Sequence, residues 1–274
     1  MQLHPNHQII MDRFIIVCQT DDRVVAALHV GSYVKGMPDE YSDLDLFVII
    51  TDDSYEDFTD NRKAFIRQLG EPLFLEDFDQ SDFLFLIFSD GSEVEISFRR
   101  ESQVSQILDG PYKVLLDKKN VTANIVPQER QIDAEEQTEK LRRIIYWFWH
   151  ELSHFTTALA RGELWWAQGQ LGALRLHCIN LTRLQNDFSD QEIGEEGYFK
   201  IENAIPIEQL SALKTTYCPM EEEAMLESAF IIVRFFRDLA TDLATTHGIT
   251  YPHRLDAVIV QKLEKLRDKI NQEV

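Results

Sequence analysis

Hydrophobic positions in the first half of the chain follow two periods, one typical of strands and one typical of helices. Short apolar runs predict buried strands at residues 24–30, 44–50, 73–75 and 83–88. Residues 93–98 alternate strictly between polar and apolar side chains, which predicts a further strand. Residues 5–19 and 54–69 carry apolar side chains at helical spacing. We therefore expect a small mixed sheet with helices on one face.

The second half is predicted to be helical. Apolar side chains recur at helical spacing in four stretches, at residues 133–161, 163–186, 221–247 and from 252 almost to the C-terminus. Asp133 and Glu136 have the spacing of a capping box, and Pro252 is suited to open the last helix. Gly162 and Gly248 interrupt or end the helical pattern. Long helices with short connections indicate an antiparallel bundle.

These patterns predict an α+β chain with two domains. The sheet domain is expected at residues 1–130 and the helical bundle at residues 131–274. Their boundary is expected near the polar stretch 125–132, which contains Pro127. A functional site is expected between the two domains.

The net charge of −20 limits the classes of partner. Residues 1–130 contain 24 acidic and 12 basic side chains, and residues 131–274 contain 23 and 15. Neither half offers the basic surface that contacts to nucleic-acid phosphates require. The charge therefore favours a neutral or cationic small molecule over a nucleic acid, although an acidic surface also serves solubility.

Cysteine usage and the N-terminal residues favour a cytoplasmic protein. The three cysteines are widely spaced and form no CxxC motif, as expected of reduced core residues. The first residues lack the basic start and apolar core of a signal peptide. No apolar run approaches the roughly 18 residues that a membrane span needs, so no membrane association is expected.

Residues 31–45 contain the residues best suited to chemistry, between two predicted strands. Gly31 and Ser32 leave one strand, where backbone N–H groups and a hydroxyl could approach phosphate oxygens closely. Asp43 and Asp45 are two residues apart at the start of the next strand, so both carboxylates are expected on one face. Two adjacent carboxylates are unfavourable unless a cation lies between them. The pair therefore predicts a site for Mg²⁺, completed by nucleotide phosphates.

A third carboxylate would allow two metal ions to flank a reacting phosphorus atom. The alternating strand at residues 93–98 can supply it. Glu95 is the preferred candidate, and Glu93, on the same predicted face, is the reserve.

The same residues carry a family resemblance. Gly31-Ser32, ten intervening residues and then Asp43-Leu-Asp45, with a later strand carboxylate at Glu95, resemble the signature of the DNA polymerase β-like nucleotidyltransferase superfamily. Within it, the segment resembles the lincosamide and aminoglycoside nucleotidyltransferases of antibiotic resistance. It differs from the motif usual in streptomycin-type enzymes, so the motif selects no single antibiotic.

The resemblance implies transfer of a nucleoside monophosphate from an NTP, with ATP expected, to a hydroxyl of a small acceptor. It assigns residues 1–130 to a polymerase β-like palm domain and residues 131–274 to acceptor binding. Gly31 would permit a tight turn, Ser32 would contact the β- and γ-phosphates, and Lys35 would add a phosphate contact. By the same resemblance, Mg²⁺ ligands are implied at Asp43, Asp45 and Glu95, with Glu95 alternatively the general base. A homodimer is plausible on the same grounds.

The acceptor-binding candidates lie where the second bundle helix begins. The stretch Arg161-Gly-Glu163 resembles the helical domain of the same enzymes. Glu163 could bind a cationic amine or accept a hydroxyl proton, or it could simply be an acid favoured near a helix N-terminus. Trp165 and Trp166 are adjacent, so at most one is expected to face the core squarely. The other, with Trp166 preferred, could line an acceptor pocket or a subunit interface.

His150, Glu151 and His154 match the HExxH motif of zinc proteases. On a helix the two histidines would share one face and could bind zinc with Glu151 as the base. No obvious third ligand follows in the sequence, because His177 lies on a separate predicted helix. The aromatic residues 147–149 favour a packed helix with amphipathic histidines instead.

Three alternatives to a small-molecule nucleotidyltransferase stay open at this point. The same site could modify a partner protein, as in toxin–antitoxin pairs. The chain could also be a catalytically silent nucleotide-binding regulator, although its carboxylate set is complete. The third alternative is the zinc protease.

Overall fold

The structure is a computed structural model that describes residues 3–76, 82–106, 110–125, 133–188, 190, 193 and 197–273. Contacts within the chain divide it into two compact units, Met1–Gln131 and Ile132–Val274. The predicted linker around Pro127 lies outside the described residues.

Among its described residues, the first unit contains a six-stranded sheet and four α-helices. The strands are β1 (Val24–His29), β2 (Leu44–Ile50), β3 (Phe74–Glu76), β4 (Phe83–Ile87), β5 (Glu93–Arg100) and β6 (Lys113–Asp117). The helices are α1 (Pro5–Thr20), α2 (Gly31–Lys35), α3 (Tyr55–Asp60) and α4 (Arg62–Leu69). The strand order is β3-β4-β5-β2-β1-β6, in which β2 and β5 are parallel and the other neighbouring pairs antiparallel.

Two apolar layers enclose this sheet, as the continuous apolar runs predict. The larger layer includes Phe14 of α1, Phe58 of α3 and most of the buried apolar side chains of β2, β4 and β5. A smaller cluster includes Leu28 and Ile49, with Val121 from a 3-10 turn. Successive side chains of β1 point to opposite faces of the sheet. Because an apolar layer covers each face, β1 is buried along its whole length.

The differences from the predicted first half are local. The strand β6 was not predicted, because it is an edge strand whose side chains are half-buried or exposed and carry little alternation. The predicted helix over residues 54–69 is two helices that meet at Asn61. Asp43 lies one residue before β2 rather than within it.

The second unit is a helical bundle. Its helices are α5 (Ala134–Ala160), α6 (Leu164–Asn186), α7 (Ile201–Ala204), α8 (Ile207–Lys214), α9 (Glu222–Thr246) and α10 (His253–Glu273). The Asp133 carboxylate accepts hydrogen bonds from the backbone N–H groups of Glu135 and Glu136, so it caps α5 as the sequence predicts. The short helices α7 and α8 were not predicted.

The bundle core is formed mainly by the apolar faces of the four long helices α5, α6, α9 and α10, with Ile201 of α7 and Leu213 of α8. Phe148 of α5 stacks on Phe236 of α9 with ring centroids 3.5 Å apart, and Trp149 is fully buried beside them. This core leaves the opposite face of α5 and the start of α6 at the surface. The predicted α+β class, with a mixed sheet followed by a helical bundle, is confirmed. None of the described helices is long and apolar enough to cross a membrane.

Candidate active site

Gly31 sets how closely the chain approaches Asp45 of β2. It follows β1 with a positive φ of 72°, a conformation that residues with a side chain rarely adopt. A Cβ atom at this position would overlap the carboxylate of Asp45. The absence of a side chain therefore lets the α2 backbone lie directly against Asp45.

Three carboxylates meet at the ends of β2 and β5. The parallel register sets Asp45 directly beside Glu95, and Asp43 lies two residues before Asp45. One carboxylate oxygen of each of the three residues lies within 4.8 Å of the others, and all three residues are half-buried. Their neighbours Leu44 and Leu46 point into the core, as the period-two pattern requires.

The electrostatics of this cluster favour a bound cation. Burial, followed by the negative charges of Asp43 and Asp45, raises the pKa of Glu95 to about 7. Without a cation, the three negative charges repel one another, and the raised pKa of Glu95 reflects this repulsion together with burial. Three oxygen ligands at this spacing are the donor set that a hard divalent cation such as Mg²⁺ prefers, so the residues fit such an ion.

Ser32 follows Gly31, which lies against Asp45, and its hydroxyl group makes no hydrogen bond to a described residue. Its Oγ atom is buried, and no hydrogen-bond partner for it is found among the described residues. Buried polar atoms are nearly always paired, so an unpaired hydroxyl next to a charged cluster calls for an explanation. A bound ligand that accepts a hydrogen bond from the Ser32 hydroxyl would explain why this group has no partner within the described part of the protein.

An acidic pocket of about 350 Å³ adjoins the cluster. Its lining includes His7, Tyr33, Asp39, Glu40 and Asp90, and also Ser42, which precedes Asp43. The His7 Nδ1 atom lies 3.0 Å from the Tyr33 hydroxyl oxygen, within hydrogen-bond distance. This pocket could not be predicted from the sequence, because its lining residues come from four separate segments.

Two predicted residues lie outside the carboxylate cluster. Lys35 is exposed at the end of α2. Glu93 is exposed at the start of β5, and its carboxylate is not among the described groups that meet within 4.8 Å. The structure therefore brings Glu95, rather than the reserve Glu93, together with Asp43 and Asp45.

A sequence model of the streptomycin adenylyltransferase family matches residues 5–266. The chain belongs to this family. It is therefore a nucleotidyltransferase of the polymerase β-like type, and its enzyme class, adenylyltransferase, is confirmed. The family is named after streptomycin, although the segment at residues 31–45 differs from the motif usual in streptomycin-type enzymes.

Solved structures also resemble this adenylyltransferase. An aminoglycoside 6-adenyltransferase from Bacillus subtilis is 17% identical, with a TM-score of 0.45 over 97% of this chain and 99% of that one. The apo form of a CCA-adding enzyme is 12% identical, with a TM-score of 0.35 over 97% of this chain and 91% of that one. No curated protein matches the chain.

The predicted acceptor residues of the adenylyltransferase lie at the start of α6. Glu163 occupies the position before the helix, exposed, and its side chain makes no capping hydrogen bond. Trp166 is 38% exposed and Trp165 is 82% exposed. Both tryptophans lie at the surface, which agrees with the expectation that at most one of them would face the core.

The HExxH residues lie together on the surface face of α5. Ligand atoms of His150, Glu151 and His154 are within 4.8 Å of one another. The chain's membership of an adenylyltransferase family gives no support to the protease alternative.

Proposed function

We propose that this adenylyltransferase moves AMP from ATP to a hydroxyl group of an aminoglycoside and releases pyrophosphate. The single observation that carries the site assignment is the meeting of Asp43, Asp45 and Glu95 beside Ser32. Family membership supports the adenylyl transfer. The acidic composition and the acidic pocket support a cationic acceptor.

In this proposal Asp43, Asp45 and Glu95 hold divalent magnesium, with two ions expected. Bound there, Mg²⁺ would neutralise charge on the nucleotide phosphates. Gly31 keeps the chain close to the nucleotide, and Ser32 donates a hydrogen bond to a phosphate oxygen. Glu95 is either a ligand or the general base that takes the acceptor's proton, a role that suits a pKa near 7. Lys35 is proposed as an outer phosphate contact.

The acceptor-binding role of the second unit is part of the same proposal. Glu163 is exposed and its carboxylate makes no capping bond, so it can meet a cationic amine from solvent. The exposed indole of Trp166 offers an apolar surface to the sugar ring. A homodimer stays a prediction, to be tested by light scattering.

The decisive experiment measures pyrophosphate release with Mg²⁺ and each NTP, across aminoglycosides, lincosamides and simple amino-alcohols. We expect release only with ATP and an aminoglycoside, with one AMP added to the acceptor by mass spectrometry. Release with a lincosamide alone would contradict the acceptor class. If no acceptor in the panel gives pyrophosphate release while the protein still binds nucleotide, the result would favour a protein acceptor or a catalytically silent regulator.

We expect the Mg²⁺ affinity of the protein to fall as the pH is lowered through 7. The pKa of Glu95 is about 7 without a cation, so below this pH a proton occupies the carboxylate that the metal needs. One displaced proton weakens binding by up to about tenfold per pH unit. Calorimetric titration should show this dependence in the parent protein and lose it in Glu95→Gln. An unchanged pH dependence in that variant would exclude Glu95 as the titrating group.

Ser32→Ala should weaken ATP binding while leaving the fold as stable as before. The Ser32 hydroxyl has no partner among the described residues, so its removal breaks no internal hydrogen bond. A hydrogen bond to a charged phosphate contributes about 1.5–3 kcal/mol, which corresponds to roughly a 10- to 100-fold rise in Kd for ATP. Nucleotide titration and urea unfolding measure the two effects separately. A drop in stability with unchanged ATP affinity would assign Ser32 a structural role.

A further inference from the structure

The surface face of α5 carries a second group of metal-ligating side chains, separate from the carboxylates of the first unit. His150 and His154 are four residues apart, so one helical turn stacks them on the same face. Their ring centroids are 4.2 Å apart. Glu151 lies beside His150, with 3.4 Å between its Oε1 atom and His150 Nδ1. One ligand atom from each residue can therefore approach a common point.

A residue of the neighbouring helix α6 forms a hydrogen bond with the Glu151 carboxylate. With its amide oriented to suit both neighbours, Gln170 of α6 donates to Glu151 Oε2 and accepts from Trp166 Nε1 at 3.2 Å. Metal ligands commonly have such an outer hydrogen-bond partner, which fixes their orientation. The Glu151 side chain is only 17% exposed, whereas His150 is 46% exposed. The group thus combines an anchored carboxylate with access from solvent.

We propose that His150, Glu151 and His154 form a binding site for Zn²⁺ in the second unit. Two imidazole nitrogens and one carboxylate oxygen are a donor set suited to zinc, whereas Mg²⁺ prefers oxygen ligands alone. Three protein ligands leave a fourth coordination position for water. In the protease motif Glu151 would be the base, whereas here its carboxylate serves as the third ligand that the downstream sequence did not supply.

The proposal is tested with tag-free full-length protein dialysed against Zn²⁺ in the presence of excess Mg²⁺, which occupies the oxygen-only carboxylate site. We expect about one Zn²⁺ per chain by metal analysis and a zinc-dependent rise in Tm. His150→Gln and His154→Gln should each weaken zinc binding more than about tenfold. Gln170→Ala should weaken it by about tenfold through loss of the outer hydrogen bond.

A matched control distinguishes this site from histidines elsewhere. His4 and His7 also neighbour each other on one face near the start of the chain, with ring centroids 5.8 Å apart. The double variant His4→Gln, His7→Gln should bind zinc as the parent does. Circular dichroism of each zinc-free variant checks that the fold is retained. Equal zinc binding in the double variant His150→Gln, His154→Gln, or no zinc bound by the parent, would overturn the proposal.

Discussion

Asp45→Asn should lower kcat by at least about 1,000-fold, because a lost metal ligand removes several kcal/mol of transition-state stabilisation and each 1.36 kcal/mol is a factor of ten. Asp45 is the central carboxylate of the site. It lies beside Glu95 in the parallel register and against the backbone of Gly31. The amide of asparagine keeps the shape but loses the charge that attracts the cation.

The variant should still fold. Asparagine fills nearly the same volume, and the apolar neighbours Leu44 and Leu46 are unchanged in the core. The negative charge of Asp45 also helps to raise the pKa of Glu95, so its removal should lower that pKa toward the ordinary value. Pyrophosphate release measures the loss of kcat. Thermal unfolding without Mg²⁺ tests whether the variant keeps the fold. A turnover within about tenfold of the parent, a change of only 1.4 kcal/mol, would exclude Asp45 as a metal ligand.

Glu93→Gln is the matched control for this experiment. The substitution removes one negative charge from the same strand, at a residue that is exposed, stands outside the carboxylate cluster and lines the acidic pocket. Long-range charge alone should change kcat by less than about tenfold, since exposed charges are screened by salt. If Glu93→Gln is as inactive as Asp45→Asn, Glu93 replaces Glu95 as the candidate for the third metal ligand.

The carboxylate cluster could be predicted because its determinants are local. Asp43 and Asp45 are two apart next to an apolar run, and Glu95 lies on a strand with strict alternation. Period-two geometry then decides which side chains share a face. The sequence favoured Glu95 over Glu93, but period-two geometry places both carboxylates on the same face and cannot exclude Glu93. The choice depends on the β2–β5 register, a pairing between segments about fifty residues apart.

Features that depend on contacts between distant segments could not be predicted. The edge strand β6 pairs with β1 although its own pattern has little contrast. The sequence did not identify Glu151 as a third metal ligand, because that requires the side-chain geometry on α5 and the contact with Gln170 of α6. Likewise, adjacency along the helix does not show that both Trp165 and Trp166 are exposed.

Gly31→Ala should inactivate the enzyme to a degree that backbone strain alone does not explain. Its φ is 72°, and an alanine in this left-handed conformation costs about 1–2 kcal/mol of stability. In addition, the new methyl group overlaps the Asp45 carboxylate, so that side chain or the α2 backbone has to move. A displacement of about 1 Å at a reacting centre can cost about 100-fold in rate. We therefore expect kcat to fall by about that factor.

Gly36 at the other end of α2 separates the two causes. Its φ is 75°, nearly that of Gly31, but a Cβ atom there would meet no described atom within 4 Å. Gly36→Ala should therefore lose a similar amount of stability in urea unfolding while its kcat changes little. Because the two glycines have nearly the same φ, the difference in kcat isolates the contact between Gly31 and Asp45. Equal activities in the two variants would show that the close approach at Gly31 serves the fold and not the site.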